Sequence, residues 1–246
     1  MQFSNTGYIV KIRNHGEKSA IVTVVCPQNG KITGYVTGAQ GKRLRGVCQL
    51  GNLISFNAYA RVAENMPSFK GVELCRSHTA DFLSDTHKIE ALASLCRLVD
   101  VCVAENDDLG AFYQVIDDFF THIQAPNWLA YYSFFEFHLL DFLGIGIDTS
   151  RCAVTGQYTD LRYISPKTGR AVCEKVGAPY KDKLYAYPQY ITEHNDKPKN
   201  SEIANVLSMT GRFLSKNFLM PHNLQLPEKR ASLLQILTMP QSITGE

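Results

Sequence analysis

The chain has 246 residues, 45% hydrophobic and 20% charged, with a net charge of +2. These values exclude a fibrous or disordered chain and suit one large or two small globular domains. Seven scattered cysteines, an odd number, exclude a dense disulfide framework and point to reduced thiols in a cytoplasm. The first thirteen residues lack the basic start and apolar run of a signal peptide. The most apolar stretch, residues 128–143, is interrupted by Glu136, His138 and Asp141 and is too short to span a bilayer. The expectation is a cytoplasmic protein with no membrane partner.

The net charge hides a strong partition. Residues 1–80 carry ten Lys/Arg and three Asp/Glu, residues 81–150 two and twelve, and residues 151–246 thirteen and eight. The nets are +7, −10 and +5. An N-terminal module this basic suggests a polyanion partner.

Residues 1–80 read as β. Strands are expected at 8–12, 20–26, 31–37, 53–61 and 71–74, with the Asn29-Gly30 pair as a hairpin turn. Five short strands joined by tight turns fit a small barrel of the oligonucleotide-binding (OB) type, although an SH3-like barrel or small sandwich gives a similar pattern. The third and fourth strands flank a loop with Gly38 and Gly41 that carries Lys42, Arg43 and Arg45 and no carboxylate. It reads as a flexible, phosphate-contacting loop.

After Asp81 the apolar period becomes helical. Helices are expected at 86–103, capped by Asp85, and at 109–123, with Asp117 and Asp118 on a solvated face. The helix at 128–143 is apolar nearly all round and should form the buried centre, with His138 a core histidine. Residues 144–180 are broken by glycines and contain two short β pieces, 161–164 and 171–173. Residues 188–200 read as a polar loop. Helices at 202–218 and 227–237 close the chain.

Motifs for nucleotide binding, zinc proteolysis or nucleophilic catalysis are absent. Cys152 and Cys173 each begin a fragment shaped like half a zinc knuckle. The position three residues on is Thr155 in one case and Val176 in the other, and neither is a strong ligand for a tetrahedral ion.

Four segments carry a family likeness: GYIVKIRNHGEKSAIVTVVCPQNGKITGYVTGA, KRLRGVCQLGNLISF, WLAYYSFFEFHLLDFLGIGIDTSRCAVTG and YISPKTGRAVCEKVGAPY. In this order and spacing the chain resembles the RecO family of bacterial recombination mediator proteins, from Gly7 to about Leu234. The resemblance implies an α+β multidomain protein. Residues 1–80 would be an OB-fold nucleic-acid-binding domain. Residues 81–246 would be a mostly α-helical domain, with a degenerate zinc-ribbon-like β insert at about 148–180. Cys152 and Cys173 would be remnants of a four-cysteine pattern, so no zinc or other cofactor is expected, and no catalytic site. The family binds single- and double-stranded DNA and anneals complementary strands. It engages the acidic C-terminal tail of the single-stranded-DNA-binding protein and, with RecR, helps load RecA in the RecF pathway of DNA repair. The implied location is cytoplasmic and nucleoid-associated.

On this reading Lys11, Arg13, Lys31, Lys42, Arg43, Arg45 and Arg61 contact phosphates. Tyr35, Phe56 or Tyr59 are stacking candidates, although strand alternation turns Phe56 into the core. The partner tail needs an apolar groove rimmed by cations, either Arg151, Arg162, Lys167 and Arg170 or Arg212 and Lys216. Two alternatives are an OB-fold protein acting on RNA and an enzyme that combines Cys152 or Cys173 with a distant histidine.

Overall fold

The computed structural model describes residues 2–60, 65–78 and 85–238. Five strands, β1 (Gln2–His15), β2 (Ser19–Cys26), β3 (Gly30–Val36), β4 (Leu53–Tyr59) and β5 (Ser68–Arg76), close into a barrel in the order β1-β2-β3-β5-β4. This is the Greek-key OB type, and closure excludes the sandwich. β1 is much longer than its apolar stretch at 8–12. Its first half pairs with β4 and its second half with β2, with a bulge between Ile9 and Lys11. Polar residues such as Ser4, Thr6 and Arg13 show no hydrophobic alternation there, so pairing on both sides is what extends the strand. β3 and β5 meet in parallel at Tyr35 and Ser68. Phe56 packs on Phe69 inside the barrel, their rings 4.3 Å apart.

By compactness the chain divides into two units, Met1–Gln124 and Ala125–Glu246. Two helices beyond residue 80 therefore belong with the barrel: α1 (Thr86–Cys102) and α2 (Phe112–His122). Asp85 caps α1 by accepting from the N–H groups of His87 and Lys88. α2 presents Phe120, whose ring stacks 4.1 Å from that of the buried Tyr8 on β1. The Tyr8 hydroxyl donates to Asp117 at 2.7 Å. Asp117 is thus half-buried and tied to the barrel, not solvated as its position in the helical pattern suggested.

The second unit is built on α3 (Trp128–Phe142), most of whose residues are buried. His138 is not in that core. It is half-buried beside Asp141, one helical turn on, at 3.4 Å. The insert contains β6 (Leu161–Ile164), β7 (Ala171–Cys173), α4 (Glu174–Gly177), a 3-10 turn at Ala178–Lys183 and β8 (Tyr185–Ala186). Its sheet has three strands, in the order β7-β6-β8, rather than two. β8 has only two residues and so no readable period. It is fixed by Asn205, which bonds both the N–H and the carbonyl of Ala186. A short helix, α5 (Gln189–Thr192), interrupts the expected loop at 188–200.

α6 (Asn200–Leu214) begins where the Glu202 carboxylate accepts from the Lys199 N–H at 2.7 Å. It relaxes into a π-helical turn at Ser215–Leu219 just before Pro221, which has no N–H to continue the ladder. α7 (Arg230–Thr238) starts later than the pattern at 227–237 suggested. Among the described residues no helix is long and apolar enough to cross a membrane.

Candidate nucleic-acid interface

Strand register sets the outer face of β1, β2 and β3. Lys11 lies opposite Thr23, which lies opposite Thr33, and Arg13 lies opposite Ile21, which lies opposite Tyr35. Ile12 between the two cations packs on the barrel core, so Lys11 and Arg13 point outward. A groove of about 350 Å³ runs over this face. It is lined by Lys11, Arg13 and Lys31 and by two acids, Asp100 and Glu105.

Those acids change the meaning of the predicted cations. Lys11 Nζ sits 2.8 Å from Asp100, which also takes Arg97 at 3.1 Å. Lys31 is buried and its ammonium donates to the main-chain carbonyl of Asp100 at 2.8 Å. It joins β3 to α1 and is not an open phosphate contact. Glu105 accepts from the N–H and the hydroxyl of Thr33, at 3.0 and 2.5 Å. Of the three strand cations, Arg13 alone is both exposed and free of a carboxylate partner among the described residues.

The connection from β3 to β4, residues 37–52, is not the flexible loop its glycines suggest. Gly38 has a φ of +75°, which allows the chain to turn back at once. The N–H groups of Gly41, Leu44, Arg45 and Cys48 then close a run of turns. Gln40 clamps the start of the connection to the β1–β2 turn: its backbone donates to Lys18 and its side chain to Ser19. Buried Asn52 clamps the end by donating to the carbonyls of Gly46 and Val47, each at 3.0 Å. Leu44, Val47 and Cys48 pack on the barrel core, which turns Lys42, Arg43 and Arg45 outward. Among the described residues no carboxylate pairs with any of these three. Arg45 faces the groove at the barrel mouth, about 390 Å³ in volume, with Ile12, Asn14 and Gln40. Lys18, absent from the sequence-based set, is exposed on the adjoining turn, where the Gln40 clamp holds it near the loop.

The aromatic candidates separate in the same way. Phe56 is core. Tyr35 is half-buried, with His15 edge-on at 5.6 Å. Tyr59 is exposed on β4 beneath the Lys70 ammonium, 5.2 Å from the ring centre. Arg61 lies outside the described residues.

In the second unit the knuckle fragments come together without a metal-binding shell. The Cys173 N–H lies 3.3 Å from Cys152 Sγ, and the Thr155 hydroxyl lies 3.8 Å from Cys173 Sγ. Two thiols, a hydroxyl and the isopropyl group of Val176 do not fit tetrahedral zinc. Among the described residues no group of three or more His, Cys, Asp or Glu converges as a metal would need.

The sequence model for the N-terminal region of recombination protein O matches residues 1–78, and that for its C-terminal region matches residues 83–225. The chain belongs to the RecO family. It is 34% identical over 242 residues to a DNA repair protein RecO of Bartonella bacilliformis, covering 96% of each chain. It is 34% identical over 239 residues to that of Chelativorans sp., covering 95% of this chain and 94% of the other. It is 32% identical over 248 residues to that of Rhodospirillum centenum, covering 100% and 98%. In this RecO family member the N-terminal match is the barrel alone, whereas the compact unit built on that barrel continues through α2.

Proposed function

We propose that this RecO family member acts in DNA repair by binding single- and double-stranded DNA and annealing complementary strands. The observation that carries the reading is the clamped loop. It holds Lys42, Arg43 and Arg45 exposed and uncompensated next to Lys18 on an OB barrel. Cations held at fixed spacing on a barrel rim neutralise successive phosphates without base readout. We further propose that the protein is not an enzyme and needs no cofactor, and that it works in the cytoplasm with RecR, the single-stranded-DNA-binding protein and, functionally, RecF and RecA. For the acidic tail of the binding protein, the π-helical end of α6 is the favoured dock. Arg212 and Lys216 are exposed there, Met220 is 68% exposed, and Phe218 packs on His222.

The test is annealing of complementary strands, naked and coated with the single-stranded-DNA-binding protein. Lys42→Glu/Arg43→Glu/Arg45→Glu should retain its unfolding midpoint and lose annealing on both substrates. Arg212→Glu/Lys216→Glu should lose only the stimulation specific to coated strands. Undiminished annealing by the triple variant at low salt would remove the loop from the site, and tighter binding to RNA than to DNA would favour a different OB-fold role.

A further inference from the structure

The insert has little interior. Its buried cluster is Cys152, Val172 and Cys173, with Leu161, Tyr163 and Val176 packed around it. Residues 151–183 nevertheless carry seven Lys/Arg against three Asp/Glu. Two large rings also stand in solvent on this small basic module, Tyr158 at 71% exposure and Tyr180 at 60%. Paired on one module, they differ from the single exposed side chains common on protein surfaces.

Pairing in the sheet strings the segments that bear these groups along it, from one end to the other. Leu161 pairs with Cys173, so the entry to β6 lies beside the exit of β7. Tyr158 precedes that entry, and Lys175 and Tyr180 follow that exit. The Glu174 N–H donates to the Asp160 carbonyl at 3.0 Å, and the Cys173 N–H reaches Cys152 Sγ. The turn after Arg151, the approach to β6 and the start of α4 therefore converge. Gly177 lies against the Tyr163 ring, where a Cβ would clash, so the 3-10 turn bearing Tyr180 and Lys181 stays on the sheet as it runs to the entry of β8, which pairs with Ile164 at the far end of β6. Arg162 is held by Asp160 at 3.6 Å. Arg151, Lys175 and Lys181 are exposed, and no carboxylate pairs with them among the described residues.

We infer that the surface of the insert, from this end along the 3-10 turn, is a second binding site for single-stranded nucleic acid, with Tyr158 and Tyr180 stacking on bases and Arg151, Lys175 and Lys181 holding phosphates. Charge alone would suit any polyanion. Exposed flat rings select one whose bases are unstacked, and a duplex keeps its bases stacked on each other. The inference rests on the proposed nucleic-acid-binding function and extends it: each compact unit holds a strand of its own, as a protein that brings two complementary strands together requires.

The test uses the full chain and a thymidine oligomer containing 5-iododeoxyuridine. Photocrosslinked peptides should include Tyr158 or Tyr180. Tyr158→Ala/Tyr180→Ala, with an unchanged unfolding midpoint, should weaken oligomer binding to the Lys42→Glu/Arg43→Glu/Arg45→Glu background by about thirty-fold or more, the worth of two lost stacks. Tyr158→Phe/Tyr180→Phe should bind as the background does. Crosslinks confined to the barrel, together with undiminished oligomer binding by the alanine pair, would overturn the inference and leave the barrel reading intact. Loss of binding to an acidic peptide, with the oligomer still bound, would make this a peptide site and also overturn it. If the barrel variant binds the oligomer fully and only the tyrosine variants fail, the barrel reading falls and this one stands.

Discussion

At the scale of single residues, Cys152 stands apart from the other buried thiols. Burial pushes Cys26 up to about 12 and Cys48 up to about 11, so both stay protonated and inert in the barrel core. Burial also raises Cys152, but hydrogen bonds from the Thr155 hydroxyl and N–H, and from the N–H groups of Cys173 and Val154, outweigh it and bring the thiol to about 6. The turn around Cys152 thus supplies the donors that a thiolate needs. A thiolate absorbance step near 240 nm should appear with a midpoint at about pH 6 and vanish in Cys152→Ser. Because the folded-state value is lowered, the stability this group adds is complete above the ordinary thiol value of about 8.5 and is lost as pH falls through about 6. Urea midpoints of wild type and Cys152→Ser should therefore converge as pH falls across that window. A wild-type spectrum with no step below about pH 7 would refute the assignment.

At the scale of elements, α3, α6 and α7 are locked by a buried ion pair. Glu136 on α3 is fully buried and accepts from Arg230 Nε and Nη2, at 2.6 and 2.7 Å, and from the Thr210 hydroxyl on α6 at 2.6 Å. Arg230 also donates to the Leu207 carbonyl. Burial disfavours the guanidinium charge, but the facing Glu136 carboxylate outweighs it, so the arginine stays ionised. The guanidinium lies over Gly211, where a Cβ would come within 2.7 Å of it. Arg230→Ala leaves a buried carboxylate without its counter-charge and should cost about 3–5 kcal/mol in urea unfolding. Glu136→Leu/Arg230→Met should recover most of that loss, and Gly211→Ala should destabilise by pushing the pair apart. A loss below about 1 kcal/mol for Arg230→Ala would mean that water replaces the lock. The sequence shows why such links escape a linear reading. Glu136 reads as a blemish in an apolar helix and Asp117 as a solvated acid, because each partner, Arg230 and Tyr8, lies far away along the chain. Local signals served well where structure is local: Asn29-Gly30 at the hairpin, Asp85 at the start of α1, and the apolar run of α3.

At the scale of the molecule, the +7 of residues 1–80 depends on where the boundary is drawn. The compact unit Met1–Gln124 also contains residues 81–124, with two Lys/Arg and nine Asp/Glu, so its net charge is zero. The basic module was legible in sequence; its compensation was not, because α1 returns its acids to the barrel through contacts between distant residues. The polyanion binding proposed for this unit rests on how charge is distributed and not on its total. The loop cations stay free of acids, whereas Lys11 and Lys31 are held by the end of α1. Asp100 is the pivot, since its carboxylate takes Lys11 and Arg97 while its carbonyl independently takes Lys31. Asp100→Asn should therefore leave the Lys31 tie and the fold in place, because the main-chain carbonyl that holds Lys31 is unchanged and asparagine keeps the shape of the shielded side chain. Freeing Lys11 adds one cation to the groove beside Arg13 and Thr23. Affinity for single-stranded DNA at low salt should rise several-fold, and the plot of log affinity against log salt should steepen by about 0.7, the contribution of one more phosphate contact on a single strand. Lys11→Ala/Asp100→Asn should return the slope to the wild-type value. Equal slopes for wild type and Asp100→Asn would mean that the strand face stays off the DNA path and that the clamped loop carries the barrel's contacts by itself.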